Sequence, residues 1–163
     1  MNSQGEDLFQ SLPLLDAAQR VAYLKEPLYF YRWNPQSISR NIRSEYYYAY
    51  RTVYQRTDLY LEKWGFSAKE IHRIMQHRLN MLFGVLLSNN HSDKKAEGRI
   101  LHEVAEDPFF RTLWAERDPK YISKYYMLAG KLLVAKRFVS LRILKKIVKL
   151  FVVIKRTIKN RRS

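Results

Sequence analysis

Tyr46, Tyr47, Tyr48, Tyr50, Tyr54 and Tyr60 are interleaved with Arg43, Arg51 and Arg56, a combination able to stack on a sugar ring or a base. Helical spacing puts Tyr47, Tyr50 and Tyr54 on one face, which favours packing over ligand stacking. The four histidines, His72, His77, His91 and His102, are nowhere three or four residues apart, so they do not converge as local metal ligands. With no cysteine, the chain excludes a disulfide scaffold, a thiolate nucleophile, an iron–sulfur cluster and any Cys-containing zinc site. It carries no Gly-rich phosphate loop, no His-Glu-x-x-His, no Asp-x-Asp and no Gly-x-Ser-x-Gly. Among its carboxylates, Glu6 and Asp7 stand just ahead of an apolar repeat, where acids suit the positive end of a helix dipole.

The elements that must position these groups read as mostly helical. Leu8, Phe9, Leu12, Leu14, Leu15 and Ala18 recur at helical spacing and predict a helix from about Asp7 to Arg20, with Pro13 as a bend or break. Val21 to Leu24 and Leu28 to Tyr31 are rich in strand formers and flank Pro27, which predicts two short strands joined by a turn. Trp33 to Ser39 has loop chemistry. Helices are then expected from Ser44 to Trp64 with Gly65 as the stop, from Ser67 to the Ser88–His91 loop, from about Asp93 to Ala105, and briefly after Asp107-Pro108. Asp118-Pro119 opens a last, long helix. At 163 residues, 47% hydrophobic and poor in Gly and Pro, the chain is neither disordered nor repetitive.

The run GEDLFQSLPLLDAAQRVAYLKEPLYFYRWNPQSISRN, residues 5–41, resembles the C-terminal part of the catalytic domain of family 2 glycosyltransferases, inverting GT-A enzymes of cell-surface polysaccharide synthesis. The order of Gly-Glu-Asp, helix, strand, Pro-Leu-Tyr-x-Tyr-Arg and Ser-x-Ser carries the likeness. The resemblance implies that Asp7, with Glu6 beside it, matches the motif whose aspartate is the general base on the acceptor hydroxyl. Such a role suits an in-line displacement, which needs one carboxylate within hydrogen-bond reach of the attacking oxygen. It further implies that Arg32, Ser37 and Ser39 lie near the donor and acceptor cleft, where a guanidinium can pair with a diphosphate. The competing readings are a helix cap for Glu6 and Asp7 and a surface ion pair for Arg32. The nucleotide-binding half with its Asp-x-Asp site has no counterpart here. No cofactor is therefore expected in this chain, although the complete enzyme implied by the likeness would use Mg²⁺ or Mn²⁺ with its nucleotide sugar and glycan acceptor.

The formal charge of +15 is divided unevenly: residues 1–119 are nearly neutral, and all residues beyond them are without a single Asp or Glu. In the last segment Arg142, Lys145, Lys149 and Arg156 fall on one side of a helix, with Leu141, Leu144, Ile147, Val148, Phe151 and Ile154 towards the other. A basic amphipathic helix of this kind lies on an anionic membrane surface, with Arg142, Lys145, Lys149, Leu144, Val148 and Phe151 as the expected contacts. Nucleic acid, a protein groove, and packing against a partner or the body with a solvated basic face are the rivals, and the wide apolar face weighs against nucleic acid.

These readings give an α+β, predominantly α chain: a GT-A remnant over 1–42, a helical region over 43–118 and a basic amphipathic helix over 119–163. The expected function is the acceptor-side fragment of an inverting glycosyltransferase, inactive alone. The N-terminus has no signal-like pattern and no apolar run reaches bilayer length, so the expected place is the cytoplasm, peripheral at the inner face of the cell membrane. The alternative is a non-enzymatic helical module whose basic helix binds membrane or nucleic acid.

Overall fold

Capping side chains decide where several helices begin. Ser67, Asp107 and Ser123 hold extended backbone and accept from the backbone N–H groups of Glu70, Phe109 and Tyr126. Ser67 and Glu70 close a full capping box. The computed structural model describes residues 6–27, 29, 46–88 and 94–160. Its helices are α1 (Glu6–Ala17), α2 (Tyr46–Lys63), α3 (Ala68–Leu86), α4 (Lys94–Glu106), α5 (Pro108–Ala115), α6 (Lys124–Val134) and α7 (Phe138–Asn160).

Among the described residues there are helices and no strand, so the expected α+β class with its GT-A α/β remnant is corrected to an all-helical one. Val21 to Leu24 is irregular and exposed, Tyr23 at 89%. β-forming composition is insufficient there because a strand needs a neighbour to pair its N–H and C=O groups, and no described segment supplies one. Most of the second expected strand, residues 28, 30 and 31, lies outside the described residues, as does the loop over residues 33–39. The single long helix expected after Asp118 is also corrected. Residues 117–123 form turns, α6 starts at the Ser123 cap, and Lys136 at φ 55° separates α6 from α7.

The core lies between α2, α3, α4, α5 and α6 and centres on Phe83, which has no exposed surface. Its ring stands edge-on to Phe110 and Trp114, each 5.8 Å away, and stacks on Tyr126 at 5.3 Å. α6 approaches this cluster through Gly130, where an added Cβ would meet the Trp114 ring and Phe83 Cζ. Polar side chains fasten the connection between α5 and α6 to α3. Buried Gln76 donates to the Glu116 carbonyl and accepts from the Asp118 N–H, and Asn80 donates to the Tyr121 carbonyl. α1 packs on α2, and α7 on α6, at the two ends of the sequence.

Candidate functional site

The carboxylate singled out by the sequence sits on the exposed first turn of α1. Asp7 is solvent-exposed, and its carbonyl accepts from the Ser11 hydroxyl at 2.6 Å. What orients it is the seating of α1. Leu12 is buried, the Arg56 guanidinium lies 3.8 Å over the Phe9 ring, and Asp16 accepts from Lys63 Nζ at 2.6 Å and Trp64 Nε1 at 2.9 Å. Those two donors, Lys63 foremost, hold the Asp16 carboxyl below its ordinary range. Glu6 opens the helix. Arg32, Ser37 and Ser39 lie outside the described residues, so of the expected acceptor-side group only Asp7 has a described side chain.

The tyrosines of α2 are used for packing and for an internal polar cluster. Tyr47 and Tyr54 are buried, and Tyr47 donates to Asp107 Oδ2 at 2.7 Å, where Arg51 Nη1 also donates at 2.8 Å. Burial, and then the adjoining carboxylate, push the Tyr47 hydroxyl far above its usual range. Burial likewise moves Tyr54 up to about 12. Burial and a hydrogen bond to Glu103 do the same to Tyr48, also to about 12. None of these phenols ionises near neutral pH, so they serve as donors and walls. Arg43 lies outside the described residues and Arg56 is occupied by Phe9.

An open groove of about 630 Å³ runs between α2, α3 and α5. Leu61, Phe66, Ile71, Met75, Phe109 and Leu113 make its walls, with Asp58 and Arg78 among its polar groups. The Arg78 side chain is 4% exposed, donates to Asp58 Oδ1 and lies 4.9 Å over the Tyr54 ring, while its Nη2 finds no partner among the described residues. Apolar walls of this kind accommodate an aliphatic or aromatic group. Asp58 and Glu62 offset the guanidinium, so the groove has no net pull on an anion.

α7 divides its expected surface residues. Leu141 is fully buried, Leu144 packs half-buried against the core, and Val148, one turn further on the same face, is half-buried. Lys145 is buried too; its ammonium pairs with Glu97 of α4 and donates to the Ser88 carbonyl. Lys145, Leu144 and Val148 therefore face inward, whereas Arg142, Lys149 and Phe151 are exposed. Among the described residues Thr57, Gln76, Arg78, Glu97 and Lys145 are buried polar groups; sequence reasoning passed over the first four and placed Lys145 on the surface. For Lys145 a signal existed: it shares one helical face with Leu141, Leu144 and Val148.

No family model, curated protein or solved structure matches the chain. Among the described residues no three His, Asp or Glu side chains gather as a metal site. The divalent ion implied by the glycosyltransferase likeness thus has no ligand set there, and no chemical step is assigned to it. No described helix is long and apolar enough to cross a membrane.

Proposed function

We propose that the chain contributes the acceptor side of an inverting sugar transfer of the family 2 glycosyltransferase kind. The observation that supports this reading is Asp7 itself, exposed on the first turn of a helix whose opposite face is clamped to α2. In such a transfer the acceptor oxygen bonds to the anomeric carbon, and the bond from that carbon to the diphosphate oxygen breaks. The electron pair leaves with the nucleoside diphosphate, and the Asp7 carboxylate takes the hydroxyl proton. Arg32 would pair with the charge building on the diphosphate. The nucleotide sugar needs a donor-binding portion in addition to these residues. Joined in one polypeptide to the nucleotide-binding portion of a family 2 enzyme and supplied with labelled nucleotide sugar, the chain should transfer sugar. Asp7→Asn should lower turnover about 10²- to 10⁴-fold with an unchanged melting temperature. Equal turnover would remove Asp7 from the reaction.

A second reading, a non-enzymatic helical module, is favoured by the exposed apolar and basic surface of α7. The two are separable because Asp7 and that surface lie on different helices and are altered independently.

A further inference from the structure

Helix α7 is apolar on two opposite sides, and the body uses one of them. At about 100° per residue, Leu141, Leu144, Lys145 and Val148 fall within one sector, the one turned to the body. Val139, Ile143, Ile147 and Leu150 fall within a sector roughly opposite, about 80° wide. They are 70%, 53%, 47% and 61% exposed. Four aliphatic side chains in register over three turns form a continuous strip on the outside of the molecule. Along one edge of the strip run Arg142, Lys146 and Lys149, all exposed.

We propose that this outer strip is a lipid-contact surface, laid in the plane of an anionic bilayer, with Val139, Ile143, Ile147 and Leu150 entering the headgroup boundary and the three cations meeting lipid phosphates. The inference names the partner and the face for the second reading above and stands apart from Asp7. Charge complementarity selects the occupant. Residues 119–163 contain no Asp or Glu, so the field along α7 is of one sign and suits a surface of many negative charges. A second copy would set Arg142, Lys146 and Lys149 against the same cations. A nucleic acid would meet those cations and leave the aliphatic strip without an apolar partner. An anionic bilayer satisfies both halves of the surface at once.

The test is sedimentation of the full chain with vesicles of phosphatidylcholine and phosphatidylglycerol at 3:1, in about 0.15 M salt. The unaltered chain should bind and should bind phosphatidylcholine alone far more weakly. Replacing Val139, Ile143, Ile147 and Leu150 by Ser should lower the partition at least tenfold without moving the melting temperature. Leu144→Ser with Val148→Ser should instead lower the melting temperature, because those side chains face the body. Ile147→Trp gives an independent reading: against the parent, whose three native tryptophans set the baseline, the added indole should shift the fluorescence to the blue on anionic vesicles and be quenched by brominated acyl chains. The proposal is overturned if the chain ignores anionic vesicles, or if the four-serine variant binds them as well as the parent. It is equally overturned if the indole of the Ile147→Trp variant stays unquenched, or if the strip instead drives dimerisation or duplex binding that the serines abolish.

Discussion

At the scale of single residues, Asp107 combines three contacts in one carboxylate: it caps α5 through the Phe109 N–H and receives Tyr47 and Arg51 from α2. Burial alone would raise its pKa, but the hydrogen bonds from Arg51, Tyr47 and the Phe109 N–H outweigh burial and hold it below the usual carboxylate range. A carboxyl depressed in the folded state adds stability above its unfolded pKa of about 4, and loses it as pH falls through the folded value. The difference in urea midpoint between the parent and Asp107→Asn should therefore be widest above about pH 5 and shrink as the pH is lowered below 4. Asp107→Ala, which also removes the cap and leaves Tyr47 without its acceptor, should cost about 2–4 kcal/mol at neutral pH in the same titration. The cap was legible as Asp-Pro ahead of an apolar run. Its partners were not, because they stand 60 and 56 residues earlier and no local spacing reports such a pairing. The buried Lys145–Glu97 pair is a similar long-range contact. Lys145→Ala should cost about 3–5 kcal/mol by taking the ammonium away from a buried carboxylate, and Lys145→Met with Glu97→Met should restore most of that in chemical denaturation.

At the scale of elements, the helix ends at Gly65, Ser67 and Asp107 were readable, since such caps and stops depend on side chains next to the helix, whereas the Ser123 cap and the break at Lys136 inside the expected last helix were not. Gly65 has φ 68° and lets its own N–H and that of Phe66 reach the carbonyls of Glu62 and Leu61. An added methyl there meets nothing within 4 Å, so Gly65→Ala should cost only the backbone strain, about 1 kcal/mol in a thermal melt. Gly130 is the opposite case. Its backbone is ordinary for a helix, but its missing side chain makes room for Trp114, and Gly130→Ala should destabilise by about 1–3 kcal/mol or more through overpacking. The inward side of α7 was only half readable: the face shared by Leu141, Leu144, Lys145 and Val148 was visible, but not that it is the one turned to the body. A helix with aliphatic residues on two faces gives one hydrophobic pattern with two solutions, and only the position of α4, with Glu97 opposite Lys145, chooses between them. The strand expected at Val21 to Leu24 failed because strand propensity acts only inside a sheet.

At the scale of the whole molecule, packing is graded along the chain. α3 packs on both α2 and α5, whereas α1 packs on α2, where Leu12 is buried, Arg56 covers the Phe9 ring and Asp16 takes donors from Lys63 and Trp64. A terminal helix seated on a single neighbour opens at a fraction of the global free energy, so amide hydrogens of α1 should exchange with solvent deuterium while those of α3 remain protected. Lys63→Ala should accelerate exchange in α1 alone, and Gly130→Ala should accelerate it in α3 while leaving α1 as it was. Exchange in both helices at one common rate would mean a single cooperative unit. Because Asp7 rides on α1, the clamp at Asp16 regulates how long that carboxylate keeps a fixed bearing, much as a hinge pin regulates a door whose frame is untouched. Changes at Lys63, Trp64 or Arg56 can then retune the presentation of the acid without drawing on the stability of the core beneath it.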